Sequence, residues 1–502
     1  MSKIAKIHIF DEVNAAVLQL DKMSSDYLFN KYGILTKSYF FSAKYKLGIW
    51  DGKIRYFHKT GNTYVQLLPE IISDLKKLGW SFELIDKRNE FQIDIPQIDK
   101  HYLKHYPSPL DPSKPLELGD HQVNAVNAAT GSNMGIILAS TGAGKSIIAA
   151  ILCELYKIHA NFKCIVIVPT VDLVDQTKTV IQKYGNDVGE YSGTTKDIDH
   201  DHLVTTWQAL QNNKDIVALY QVVIVDECHG VKSSILKSII NEPGGNVPVK
   251  IGLTGTLPKD PCEQMDVRIS LGNVLYTIPA HELIDAGWLA KLKLKIIKLI
   301  EDVNNKWEEY KLEYPVEAAK INAKKFKEEL FPDYDSEKSY LQNKNDRNDF
   351  IVNIIDMARV RGNCLVLTNG IPFGKKLSKK IPNSYFVYGK DKKEVRKEIY
   401  KLFETNDDIV VVTSYQLAST GLDIPRIFNL FLIDSGNSFI RVIQSIGRGL
   451  RKAMDKNTVY VYDICSDLKY SSKHYKDRKK YYKEQQYTFT EESIEYQDID
   501  LT

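Results

Sequence analysis

Gly135-Ile-Ile-Leu-Ala139-Ser140-Thr141-Gly142-Ala143-Gly144-Lys145-Ser146 runs from a short apolar stretch through a turn with two glycines into Ile147 to Tyr156, which has a helical pattern. Strand, then turn, then helix is the order that decides the fold. Gly142 and Gly144 let the backbone wrap an anion with its N–H groups. The helix that follows directs its positive end at the same place. Lys145 is placed to reach the β- and γ-phosphates of a nucleoside triphosphate, and the Ser146 hydroxyl to ligate Mg²⁺. Ser140, Thr141 and Ala143 complete the cradle, and Ala139 stands where such loops usually open with glycine.

Outward from this loop, strand-like runs alternate with helical patterns. From Leu118 to about Ala290 the runs are Gly135–Ala139, Cys164–Val168, Val222–Val225 and Lys250–Leu253. A second series has Cys364–Thr368, Ser384–Val387, Ile409–Val412, Leu430–Ile433 and Thr458–Tyr462. Buried runs bounded by helices indicate parallel sheets covered on both faces, so the expected fold class is α/β. Upstream, Lys3 to Phe10 alternates and Ile71 to Leu78 has helical spacing, which predicts a small α+β domain. The proline-rich stretch His105 to Pro115 is expected to be an extended linker. The predicted domains are 1–115, 116–295, 296–466 and a basic, tyrosine-rich tail at 467–502. The segment Glu301 to Lys344 is charged and helical in pattern, a connector or a small insertion.

Val222-Val-Ile-Val-Asp226-Glu227-Cys228-His229 reads as a buried strand ending in two carboxylates. Asp226 suits Mg²⁺, and Glu227 is placed to polarise an attacking water. Gln444-Ser-Ile-Gly447-Arg448-Gly-Leu-Arg451 supplies two arginines three apart, hence on one helical face. Cleavage of a γ-phosphate spreads negative charge, and such cations stabilise it.

The net charge is only +3, so any basic surface must be local. Hydrophobic content of 43% and charged content of 26% fit soluble globular protein. The six cysteines include no C-x-x-C pair and are expected to be buried reduced thiols. No apolar run reaches the roughly 20 residues needed to span a bilayer, so no membrane partner and a cytoplasmic location are expected.

Taken together, these motifs resemble a superfamily 2 helicase core over roughly Leu116 to Cys465. The resemblance implies two tandem RecA-like domains. Gln122 resembles the glutamine that contacts adenine, although Gly119 and Asp120 stand near the place of the usual arginine. Pro169-Thr170 to Gln176 resembles motif Ia, and Thr205-Thr206-Trp207-Gln208 motif Ib. Leu253-Thr254-Gly255-Thr256 resembles motif III, which implies that Thr254 and Thr256, with His229 of the acid box, couple ATP state to closure. Leu365 to Asn369 resembles motif IV. Thr413-Ser414, then Thr420-Gly421-Leu-Asp423-Ile-Pro425, resembles motif V, with Gly421 and Asp423 on the nucleotide side. Gln444 to Arg451 resembles motif VI and implies catalytic roles for Gln444, Arg448 and Arg451. ATP and Mg²⁺ are the implied cofactors. Thr170, Thr206, Thr368, Thr413 and Thr420 are expected to donate to phosphate oxygens of a nucleic-acid strand.

Outside the motor, Tyr45-Lys46-Leu-Gly48-Ile-Trp50-Asp51-Gly52-Lys53-Ile54-Arg55 resembles the N-terminal domain of phage UvsW-type branch-migration helicases. Read from the residues alone it is a β-hairpin closed by Asp51-Gly52. Trp50, Lys53 and Arg55 would then face DNA. The tail interleaves lysines with tyrosines over Lys469 to Tyr487, a pattern suited to phosphates and bases. These readings favour an ATP-driven enzyme acting as a monomer on branched DNA, in a bacterial cytoplasm if phage-encoded. An RNA helicase and the motor subunit of a restriction complex are the alternatives, and a non-catalytic scaffold would be expected to have lost Lys145, Glu227 or an arginine.

Overall fold

The computed structural model describes residues 3–89, 91, 93–109, 111–193, 195–232, 234–420, 426–434, 436, 446–447, 449–450 and 455–498. Packing divides the chain into two units, Met1–Ile278 and Pro279–Thr502. The first is built on an eight-stranded sheet. Its order from edge to edge is Lys196–Asp197, Val188–Tyr191, His202–Thr206, Cys164–Val168, Val222–Asp226, Val249–Thr254, Met134–Ala139 and Val274–Ile278. Every pairing is parallel except the first. Parallel strands are covered on both faces, which is why Cys164–Val168 is buried at every position. The helix Lys145–Ala160 lies on this sheet and ends on Asn161, whose φ of 52° is the left-handed geometry of a helix C-terminus.

His202 shows how dry this interior is. Its Nδ1 accepts the Cys164 N–H at 3.1 Å, and burial holds its pKa down at about 4. An unfolded histidine titrates near 6.5, so between these values the unfolded chain binds a proton that the native chain refuses. Stability should therefore fall on acidification through that window, by about 1.4 kcal/mol per pH unit. Urea midpoints at pH 7 and pH 5 test this, and a His202→Gln variant should lose less between them than the parent.

The N-terminal residues form a four-stranded sheet, in the order Asn62–Tyr64, Asn14–Leu18, Lys3–Ile9, Trp80–Asp86. Its core of Ile7, Val17, Leu28, Phe57 and Leu75 takes in Ile269 from the helix Pro261–Leu271 of the larger sheet's layer. Tyr56 Oη donates to Cys262 O at 3.1 Å across the same junction, and Arg268 pairs with Glu70.

Two local expectations need correction here. His105 to Pro115 is not an extended linker: Pro107 and Pro115 bridge in antiparallel fashion, with Ser108 N donating to Lys114 O and Leu116 N to Tyr106 O. Prolines lack a donor, so the neighbouring N–H groups close the loop. Nor is Asp51-Gly52 the tip of a hairpin. The antiparallel strands are Gly33–Leu35 and Lys53–Arg55, and residues 36–52 between them carry a helical turn at Tyr39–Phe41 and a short helix at Ala43–Lys46. Gly52, with φ of 80°, sits at the entry to the second strand, where its carbonyl accepts the Thr36 N–H.

The second unit has a seven-stranded sheet, parallel throughout: Ser384–Val387, Val410–Ser414, Cys364–Thr368, Asn429–Ile433, Thr458–Ser466, Lys291–Leu299, Phe489–Ile494. The expected domain boundary after residue 295 cuts one of these strands and moves to Ile278/Pro279. The expected tail is also corrected, because the helix Lys469–Glu484 packs on this sheet and Phe489–Ile494 is its edge strand. Arg478 is fully buried and grips Asp463 through Nε and Nη2, both at 2.9 Å, while Tyr482 Oη donates to the same carboxylate at 2.7 Å. The segment after Glu301 is a helical insertion comprising Asn304–Glu313, Pro315–Ala318, Ala323–Glu329 and Tyr334–Asn343. Its root is polar: buried Glu301 meets Arg347 Nε at 3.1 Å, Lys344 at 3.2 Å and Tyr496 Oη at 2.7 Å.

Candidate functional site

Three strands side by side in the first sheet set the geometry. Met134–Ala139 leads into the phosphate loop, Val249–Thr254 is its neighbour, and Val222–Asp226 lies one strand further. All run the same way, so the loop, Thr254 and the acid pair emerge together at the carboxyl edge, where open parallel sheets bind ligands. At about 4.8 Å per strand, the loop and the acids stand roughly 10 Å apart.

The loop has the build of an anion cradle. Gly142 and Gly144 take φ of 89° and 88°, the left-handed region open to glycine. The helix from Lys145 has no side-chain cap and no acid in its first turn. Its leading N–H groups suit an anion, which a helix N-terminus favours. Lys145 Nζ donates to Ala139 O at 3.2 Å and lies 3.8 Å from Glu227 Oε1. Ser140 Oγ and Thr256 Oγ1 are buried without a hydrogen-bond partner.

Glu227 has φ of 49°, strained for a non-glycine residue, and such strain concentrates at functional positions. Its Oε2 lies 3.3 Å from His229 Nδ1 and 3.3 Å from Thr254 Oγ1, and those two are 3.0 Å apart. Thr254 Oγ1 also reaches Thr256 O at 2.9 Å. A hydroxyl carries one proton, so Thr254 can donate to Glu227 or to Thr256 but not to both. That choice makes the strand between loop and acids sensitive to where Glu227 points. Asp226 accepts the Glu227 N–H at 3.0 Å. Burial, then the Glu227 charge beside it, raises its carboxyl above the usual range, and Lys145 opposes this. Ser146 and Asp226 offer oxygen donors only, a set that fits a hard divalent cation such as Mg²⁺.

Gln122 is buried beneath the loop. Its Oε1 accepts the Gly119 N–H at 3.0 Å and its Nε2 donates to Ala143 O at 3.3 Å. Both ends of the amide expected to read adenine are therefore used within the fold. Sequence reasoning passed over His121, which also bonds the Ala143 backbone and whose pKa burial lowers.

The threonines divide. Thr206 is buried and its hydroxyl accepts the Ala209 N–H at 3.2 Å as a helix cap. Thr368 and Thr413 are fully buried and donate inside their own sheet, to Thr413 O at 3.4 Å and Val387 O at 2.8 Å. All three hydroxyls are engaged within the fold in this structure, Thr206 as a helix cap and the other two inside the second sheet. Thr170 is half-buried at the start of the helix Val171–Lys183. Gln208, from the same stretch as Thr206, is exposed and donates to Pro169 O at 3.3 Å, tying the motif Ib region to motif Ia. The Thr420 side chain, Gly421, Asp423, Gln444, Arg448 and Arg451 lie outside the described residues.

Near the N-terminus, Trp50 Nε1 donates to Lys53 O at 2.8 Å, and Arg55 pairs with Asp51 and stacks over Phe29 at 4.3 Å. The groups turned outward are instead Phe41, Leu47 and Ile49, more than 70% exposed, beside exposed Lys44 and Lys46. All six cysteines are buried and free of disulfides. Among the described residues no helix is long and apolar enough to cross a membrane.

Two parallel-sheet units, the first with a phosphate loop facing an acid pair, make this chain an ATP-hydrolysing helicase of tandem RecA-like build. Its likeness is to the superfamily 2 helicases. Residues 115–259 match the family model for the type III restriction enzyme res subunit, and residues 346–453 match the helicase conserved C-terminal domain. The chain is 25% identical over 506 residues to the ATP-dependent DNA helicase uvsW of Enterobacteria phage T4, covering 95% of this chain and 93% of that one. It is 29% identical over 220 residues to the DNA 3'-5' translocase XPB2 of Sulfurisphaera tokodaii, covering 43% and 47%. Among solved structures, a fragment of a putative HsdR subunit of a type I restriction enzyme from Vibrio vulnificus aligns at TM-score 0.54 and 17% identity, covering 81% and 73%. That last likeness is one of fold.

Proposed function

We propose that the chain is a DNA translocase that remodels branched DNA by ATP-driven branch migration. The observation that carries the ATP half is the cluster at the carboxyl edge of the first sheet, with Lys145 3.8 Å from Glu227 and Thr254 bridging from the strand between. The DNA half is supported by similarity along nearly the whole chain to a phage DNA helicase.

In this reading Gly142, Gly144 and the start of the helix at Lys145 hold the phosphates. Lys145 moves from the Ala139 carbonyl to the γ-phosphate. Glu227 orients the attacking water and accepts its proton, with His229 and Thr254 fixing the carboxylate. Ser146 and Asp226 would hold Mg²⁺, which neutralises charge on the phosphates. Gln122 acts by propping the loop. The roles of Gln444, Arg448, Arg451, Gly421 and Asp423 rest on their motifs.

A labelled four-way junction with ATP and Mg²⁺, beside a simple forked duplex, tests this. The expected result is ATP-dependent conversion of the junction to duplex products. Unwinding of the fork with an untouched junction, or stimulation of ATP hydrolysis by RNA alone, would overturn it.

A further inference from the structure

The helix Lys469–Glu484 has two faces that repeat in step. Ser471, Tyr475, Arg478 and Tyr482 are buried against the sheet, and Lys469, Lys473, Lys476 and Lys480 are exposed. Both sets follow i, i+4, i+7, i+11, so each is a stripe along one side of the helix. The lysine stripe faces the inserted helix Ala323–Glu329, and Lys324 and Lys327 complete a groove of about 620 Å³. Asp467 is taken by Lys327 at 2.5 Å and Asp477 by Lys480 at 3.5 Å, leaving Glu328 as the remaining acid. Lys324, Lys469, Lys473 and Lys476 have no carboxylate at ion-pair distance among the described residues. A chain of net charge +3 thus concentrates six lysines against three acids in one groove.

The groove is joined to the motif IV region. Asn369, the residue after Thr368, donates Nδ2 to Tyr334 Oη at 2.8 Å. The Tyr334 ring packs on His474 at 4.9 Å and Tyr470 at 6.4 Å, the first turns of the lysine helix. The N–H groups of Tyr470 and Ser471 are already taken by Glu337, at 2.8 and 2.6 Å. The anion-seeking groups here are therefore the lysines and not the helix end.

We propose that this groove binds the phosphodiester backbone of a nucleic-acid strand, carrying it outward from the carboxyl edge of the second sheet past Asn369. Eleven residues of helix span roughly 16 Å, which in duplex geometry is the axial rise of about five phosphates of one strand, about 3.4 Å each. Flexible lysine ammoniums suit such contacts because they read charge and not sequence. The inference rests on the reading of the chain as a nucleic-acid motor.

The test is binding of a fluorescent single-stranded DNA oligonucleotide by the full chain across a salt series. With Lys469→Glu, Lys473→Glu, Lys476→Glu and Lys480→Glu combined, affinity should fall tenfold or more, and the slope of log K against log salt should become shallower by roughly 3, about 0.7 per contact. The milder Lys473→Gln/Lys476→Gln pair adds no new charge and should lower the slope by about 1.4. Both should keep the parent's thermal unfolding midpoint, since the changes lie on the exposed face. Parent-like affinity and slope in the double variant would overturn the groove alone. Failure of the parent to bind DNA at low salt would overturn the underlying reading with it.

Discussion

Replacing Lys145 with alanine should abolish ATP hydrolysis, a loss on the order of 10³-fold or more, while DNA binding persists. The ammonium lies 3.8 Å from Glu227 and belongs to the first residue of the helix that closes the phosphate loop. Removing a preorganised donor from developing charge costs about 10²- to 10³-fold by itself. Alanine is the best helix former, so the helix should survive, and among the described residues the one hydrogen bond lost is that to Ala139 O. Phosphate release and oligonucleotide binding on the same preparation separate the two effects. Turnover at the parent's rate would remove Lys145 from the chemistry.

Arg478→Ala should destabilise the second unit by about 3–5 kcal/mol. It leaves Asp463 buried without its cation, with Tyr482 as its remaining side-chain donor among the described residues. The cost is that of an orphaned charge more than that of a lost bond, which gives a sharper expectation: Arg478→Met with Asp463→Leu should recover most of the loss. Denaturant midpoints of the full chain measure both. Equal destabilisation by the single and double variants would show that the pair's shape, and not its charge balance, matters. The same contact explains why cutting the chain before Lys469 is a poor probe of DNA binding: it removes Arg478 and the edge strand Phe489–Ile494 along with the lysines.

Much of the sheet is legible in the sequence where strands are buried on both faces. Cys164–Val168 and Cys364–Thr368 read to the residue, because continuous apolar runs between helices have few other solutions. His202–Thr206 is equally buried but carries His and two Thr, so apolarity does not announce it. Lys291–Leu299 alternates lysine with leucine or isoleucine, and Phe489–Ile494 is acidic. Both lie toward the sheet's edge, where one side of a strand meets water. The boundary and tail expectations failed on these two strands.

At the site, placement that follows from order along a strand–turn–helix was readable: Lys145, Asp226, Glu227 and Thr254 come together at the carboxyl edge of the first sheet. Residues whose role depends on which way a side chain turns were not. Thr206, Thr368 and Thr413 stand at or near strand ends, yet their hydroxyls are engaged within the fold, Thr206 as a helix cap and the other two inside the sheet. Gln122 has the right identity, but its amide is spent on Gly119 and Ala143. Around Trp50 an Asp-Gly pair suggested a tight turn, whereas the partner strand lies at Gly33–Leu35, beyond the reach of any short-range signal.

The central claim is that the cluster of Lys145, Glu227 and Thr254 hydrolyses ATP in the service of movement on DNA. Phosphate release by the full chain, titrated with four-way-junction DNA and repeated with Glu227→Gln, tests it most directly. The account predicts low turnover without DNA, a rise of at least tenfold on adding the junction, and loss of that rise in the variant. Turnover indifferent to DNA, or undiminished by Glu227→Gln, would contradict it.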